Sequence, residues 1–245
     1  MSTIKVGSQP TIKRLPSYLH VIENAKREGK EYISGTVIAE ELDLEPIQVR
    51  KDLAITGVVG KPRIGFPVDR LIEAIYQFLQ WDQRHRAVIV GAGNLGTALM
   101  GYAEFPNRGL HIVAAFDLDK EKIGTTIHGA TVHPLGQMSE LLEELNVDIA
   151  ILTVPSQHAQ AVADLLVKAG VGAIWNFTNV KLKVPGHVIV QKEDLSSGYA
   201  VLSVKMRVMA KAGADEPTGE HAQPDAVSRE DQPLAEESAA SRRSV

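Results

Sequence analysis

The 245-residue chain contains no cysteine. That excludes disulfides, thiolate metal sites and a cysteine nucleophile. No apolar run is long enough to span a bilayer. The opening MSTIKVGSQP lacks the apolar stretch of an export signal, so a cytoplasmic location is expected. Charge of one sign is also scarce: 26 Lys and Arg stand against 30 Asp and Glu, a formal net charge of −4. This argues against a generally basic nucleic-acid coat. No H-x-x-x-H, G-x-S-x-G or paired-carboxylate signature occurs, so neither a metal site nor a hydrolytic site is expected.

An apolar fraction of 44% is enough for a real core. The average charge hides local patches. Arg50, Lys51, Lys61 and Arg63 face a single nearby acid, Asp52, whereas the chain beyond Lys211 is acidic and poor in large apolar residues. Ile12, Leu15, Leu19 and Ile22 recur at helical spacing and predict a helix over 11–25, with Pro16 tolerated near its start. Thr36 is expected to cap a second helix over 37–43, and Pro46 to open a third, IQVRKDLA. On that third helix Ile47, Val49 and Leu53 are expected inward, with Gln48, Arg50, Lys51 and Asp52 outward. GVVGKPRIGFP reads as a tight hairpin with a basic tip. Three helices and a basic hairpin make a winged-helix module. A strongly apolar helix over 68–80 links it to the remainder.

From Ala87 the pattern becomes alternating strand and helix, which implies an α/β, doubly wound parallel sheet. Its first strand runs into Gly91, Gly93 and Gly96, spaced G-x-G-x-x-G at the mouth of a helix containing Tyr102. The first glycine allows the tight turn, the second lets a pyrophosphate approach, and the third lets helix pack on strand. Asp117 follows Gly96 by 21 residues at the end of the next strand. A carboxylate there suits the ribose hydroxyls of NAD or NADH and repels the 2′-phosphate of NADP. The loops TVPSQ and NFTNVKLKVP also lie at carboxyl ends of strands, where ligands bind. His111, His128, His133 and His158 show no partner spacing, and little chain remains for a substrate domain. No catalytic residue is therefore assigned, and the pocket reads as one that senses a cofactor. A small NAD-dependent oxidoreductase and a CoA-binding regulatory module stay open as alternatives. The expected domains are a winged-helix domain with linker helix over 1–84, a Rossmann-type domain over 85–195, a C-terminal helix over 196–212 and a disordered acidic tail over 213–245.

In order along the chain, TIKRLPSYL, QVRKDL, VGAGNLGTAL, AAFDLDKEKIG, TVPSQHAQAVADLLVKAG and NFTNVKLKVP resemble the Rex-type redox-sensing transcriptional repressors, over about residues 12–207. The resemblance implies a homodimer on an inverted-repeat, double-stranded DNA operator, released when NADH binds, with the last helix exchanged between subunits. It implies that Gly91, Ala92, Gly93, Asn94, Leu95 and Gly96 hold the pyrophosphate and Asp117 the adenosine ribose, with Lys122 nearby. Val154 and Pro155 would line the adenine side, and Asn176 and Phe177 would lie near the nicotinamide. Tyr102 and Asp194 match switch residues, and His20 stands where many members carry an arginine tied to that switch. Gln48, Arg50 and Lys51 would enter the major groove, with Arg14, Lys61 and Arg63 completing the DNA-binding set. Ala54, Ile55, Thr56 and Gly57 depart from the serine, aromatic pair and glycine that often follow QVRKDL.

Overall fold

The computed structural model describes residues 8–214; most of the acidic tail expected to be disordered lies outside the described residues. Helix α1 (Gln9–Arg27) starts earlier than expected because the Ser8 hydroxyl accepts from the Thr11 N–H and Pro10 occupies the first turn. Pro16 consequently lies in the helix interior, where it removes one i→i−4 hydrogen bond. After β1 (Tyr32–Ile33), the cap of α2 (Gly35–Glu41) is Ser34 rather than Thr36, its hydroxyl accepting from the Val37 N–H at 3.1 Å. Pro46 opens α3 (Pro46–Leu53) as expected.

Two expectations for α3 are corrected. Ile47 is 64% exposed, and Asp52 is only 2% exposed. Val49, Asp52 and Leu53 form the inward stripe at i, i+3 and i+4, which leaves Ile47 off the buried face. The wing closes through a bridge between Lys61 and Gly65, and β2 (Phe66–Pro67) pairs antiparallel with β1. Gly65 has φ +111°, and a Cβ there would overlap the Ile33 carbonyl, so this turn needs glycine. Helix α4 (Val68–Leu79) packs on α1 and completes a core built on Leu15, Tyr18, Ile22, Leu53, Leu71 and Ile75.

The second part of the chain runs β3 (His85–Val90), α5 (Asn94–Met100), α6 (Glu104–Asn107), β4 (Leu110–Asp117), β5 (Thr126–Ile127) and β6 (Ala130–Pro134). It continues α7 (Met138–Glu144), β7 (Ile149–Leu152), α8 (Ala159–Lys168), β8 (Ala173–Asn176) and β9 (Ile189–Lys192). The sheet order is β5-β6-β4-β3-β7-β8-β9, parallel throughout except at β5–β6. The order β6-β4-β3-β7-β8-β9 is that of a dinucleotide-binding doubly wound sheet, with its switch point between β3 and β7. The β5–β6 hairpin was not expected; its strands are too short to show a period, and its turn holds His128 and Gly129 at φ +47° and +86°. Helix α5 ends at Met100, so Tyr102 sits in the connection to α6, 53% exposed, rather than within a helix.

One core, containing Val88, Phe116 and Leu152, covers one face of the sheet; another, containing Ile89, Met100 and Ile151, covers the other. Helix α9 (Ser196–Ala214) is a separate unit that extends two residues beyond the expected helix. Tyr199, Leu202, Val204, Met206 and Met209 are exposed along it. Among the described residues, no helix is long and apolar enough to cross a membrane.

Candidate functional site

The loops after β3 and β7 diverge at the switch point and open a cleft of about 440 Å³. Gly91, Gly93, Asp117, Leu118, Lys122, Leu135, Thr153, Val154, Pro155 and His158 are among its lining residues. Gly91 has φ +102°, and a Cβ on it would come within 2.9 Å of the Thr153 backbone. Thr153 closes this contact from its own side, its hydroxyl donating to the Gly91 carbonyl at 2.8 Å. A Cβ on Gly96 would overlap the Gly91 carbonyl oxygen, so the third glycine sets how closely α5 approaches β3. A Cβ on Gly93 would meet nothing within 4 Å: that glycine faces open space at the start of α5. The first N–H groups of a helix have no intrahelical acceptor, so this opening presents donors to an anion.

Asp117 anchors the loop as well as facing the cleft. Its Oδ2 accepts from the Ala92 N–H at 2.7 Å, and Oδ1 accepts from Leu118 and Asp119 N–H at 2.7 and 2.9 Å. An ionised carboxylate has about four acceptor positions, so these bonds leave capacity for a ribose hydroxyl. Lys122 is 3.5 Å from Asp119 and lines the same cleft. This set of open glycine, carboxylate and cation fits the pyrophosphate and adenosine ribose of a dinucleotide. Leu118 and Leu135, which add apolar walls, carried no recognisable signal in the sequence: Leu135 follows a strand too short to anticipate.

Asn176 and Phe177 are not among the residues lining the cleft. Asn176 is fully buried and holds its own loop, Nδ2 donating to the Val180 carbonyl at 2.9 Å. Its Oδ1 accepts from the Thr178 N–H and hydroxyl. Phe177 packs against Trp175, with ring centroids 5.1 Å apart. His20 and Tyr102 do come together, in a second cavity of about 760 Å³ that Trp81, Phe105, Arg108 and Trp175 also line. Asp194 lies between β9 and α9 and does not line that cavity. Among the described residues, no cluster of three or more His, Asp or Glu could hold a metal ion.

The residues expected at DNA divide into two groups. Arg50, Lys51, Lys61 and Arg63 are exposed. Arg50, Lys61 and Arg63 border one groove of about 540 Å³ beside Ser34 and Thr36. Lys61 is steadied by Tyr32, donating to its hydroxyl at 2.7 Å. Arg14 and Gln48 are instead committed to the buried Asp52. Arg14 donates from Nε to Oδ2 at 2.7 Å and from Nη2 to Oδ1 at 3.1 Å. Tyr18 donates to Oδ2 at 2.7 Å, while Thr11 and Gln48 each donate to Oδ1 at 2.9 Å. Burial alone would raise the carboxyl pKa, but the bonds from Arg14, Tyr18, Thr11 and Gln48 more than reverse this and hold it at about 2. Burial, followed by the bond to Asp52, pushes the Tyr18 phenol up to about 12. The cluster ties α3 to α1 and turns the Gln48 Nε2 inward, leaving Oε1 as the free end of its amide.

Residues 8–54 match a family model described as a putative DNA-binding protein N-terminus, and residues 82–180 match one described as a CoA binding domain. A redox-sensing transcriptional repressor Rex of Treponema denticola is 58% identical over 206 residues, covering 84% of this chain and 98% of that protein. A Rex-family repressor, RSP, solved with β-NADH, is 30% identical, with TM-score 0.77 over 86% of this chain and 98% of that one. RSP solved with β-NAD+ and operator DNA matches with TM-score 0.76, again at 30% identity, over 86% and 99% of the two chains.

Proposed function

The chain belongs to the Rex family of redox-sensing transcriptional repressors, and on that premise we propose that it binds an inverted-repeat operator as a homodimer and leaves it when NADH occupies the cleft. One observation carries this reading: a single chain joins an exposed basic helix and wing to a glycine-loop cleft with a carboxylate at the ribose position. Each domain is built around its own core, so the first can move as a body when the second changes.

On the DNA, Arg50 and Lys51 of α3 face the major groove, where Arg reads guanine through a bidentate pair. Lys61 and Arg63 of the wing meet phosphates. The Gln48 amide, pinned by Asp52, offers an acceptor to the groove, which suits an exocyclic amino group better than a two-point contact with adenine. In the cleft, NADH and NAD share the adenosine half, held by the glycine loop, Asp117 and Lys122 beside Val154 and Pro155. A bound nicotinamide supplies the redox difference through its charge and ring geometry. Asp117 favours a free 2′-hydroxyl over a 2′-phosphate.

The domains of this proposal are a winged-helix domain to residue 84, a Rossmann domain to 195 and a helical dimerisation element beyond. The exposed apolar side chains of α9 support its exchange with a second copy. The chain acts as a cytoplasmic regulator rather than an enzyme. The relatives it matches are transcriptional repressors, which supports a cofactor bound for sensing. Titration of the protein on an inverted-repeat duplex with NADH, NAD, NADPH and CoA in turn tests the proposal. Release by NADH at concentrations where NAD leaves the complex intact is expected. Equal response to NADH and NAD, release by CoA, or no DNA binding at low salt would each overturn it.

A further inference from the structure

Arg108, directly after α6 on the cofactor-binding domain, reaches across to the DNA-binding domain. Its Nη1 donates to Glu23 Oε1 of α1 at 3.0 Å and to the Tyr76 hydroxyl of α4 at 2.7 Å. Its Nη2 donates to Glu23 Oε2 at 3.2 Å, and Glu104 lies 3.5 Å from the same nitrogen. The guanidinium carbon sits 5.3 Å from the Tyr76 ring centroid and 5.0 Å from that of Trp81. One side chain of the second domain is thus held by two helices and the linker of the first. The Arg108 and Glu23 side chains are 16% and 27% exposed. A two-point, sheltered pair of this kind is directional in a way that a solvated surface pair is not.

The next residue fastens the linker itself. Gly109 has φ +78°, and a Cβ there would overlap the Gln83 carbonyl; its own carbonyl accepts from the His85 N–H at 2.8 Å. Elements on either side of this joint lead to the two binding faces. From the glycine loop, α5 runs into Tyr102, whose ring meets Phe105 of α6 with centroids 4.8 Å apart, and α6 is capped by Arg108. In the other direction, Glu23 shares α1 with Arg14 and Tyr18, which hold Asp52 of α3.

We propose that Arg108 is a positioning residue: its fork on Glu23, braced by Tyr76 and Trp81, transmits the state of the cofactor cleft to the orientation of the DNA-binding domain. This inference rests on the reading of the chain as an NADH-responsive repressor. Coupling between two sites is a free energy separate from either affinity, so its loss can be measured while both affinities persist.

The test uses the full chain, wild type and Arg108→Met. Each is titrated with NADH alone and then with NADH on a duplex that the wild type selects from a random-sequence pool. In the variant, NADH affinity without DNA is expected within about twofold of wild type. The factor by which saturating NADH weakens duplex binding should fall to within about twofold of unity. Glu23→Gln is expected to give the same loss, and the double variant no more than either single one. If Arg108→Met does not fold, Glu23→Gln, which keeps the side-chain volume, carries the test alone. A wild-type coupling factor in the variant that folds overturns the joint. A wild type whose duplex binding ignores NADH overturns the functional reading and this inference with it.

Discussion

Replacing Asp52 by asparagine should detach the recognition helix from α1 while sparing the cofactor cleft. The carboxylate accepts from Thr11, Arg14 and Gln48 on one oxygen and from Arg14 and Tyr18 on the other. An asparagine amide has one oxygen. Whichever way it turns, its NH2 faces a donor of Arg14, which has no acceptor to offer. Holding the Asp52 pKa at about 2 against an ordinary 3.8 already corresponds to roughly 2 kcal/mol for the charge alone. Breaking a buried pair by removing one charge raises the expected loss to about 3–5 kcal/mol. The assay is urea unfolding followed by fluorescence of Trp81, which packs on the first core, in a Trp175→Phe background that removes the only other tryptophan. A loss below about 1 kcal/mol would refute the reasoning. The pH dependence has a definite sign: because the folded pKa is depressed, the contribution is complete above about pH 4 and disappears as pH falls toward 2. That portion of the acid sensitivity should be absent from the Asp52→Asn variant.

The cleft makes two further predictions. Asp117→Ala should weaken NADH binding roughly tenfold and narrow the preference over NADPH, and Asp117→Asn, whose NH2 must face either the Ala92 N–H or those of Leu118 and Asp119, should weaken it as well; unchanged fluorescence titrations with both nucleotides would refute the assignment. Gly96→Ala places a methyl group on the Gly91 carbonyl and should abolish NADH binding and NADH-dependent release while leaving operator binding in place, since the DNA-binding domain has its own core; NADH affinity within about threefold of wild type would contradict the close-packing argument.

Local chemistry made much of the fold and part of the site legible. A four-residue apolar strand, three glycines at fixed spacing and an acid at the next strand end mark a phosphate-binding turn with a carboxylate beside it. The structure places Gly91, Gly93, Asp117, Lys122, Val154 and Pro155 around one cleft. Helical spacing in 12–22 and 68–79 likewise defines two faces that must be buried, and they are buried against each other.

What only the tertiary structure decided concerns polar groups whose partners are distant in sequence. Asp52 reads as an outward charge on its own helix, and it is buried because Thr11, Arg14 and Tyr18, 34–41 residues away, supply the donors that make burial favourable. The partners of the buried Asn176 amide, Val180 and Thr178 of its own loop, likewise show only in the fold. Arg108 carries no pattern at all, since its partners Glu23 and Tyr76 lie 85 and 32 residues away on another domain. Periodicity records which side chains must leave water. Where a charge finds its partner depends on how the packed elements meet, and that is a property of the folded chain alone.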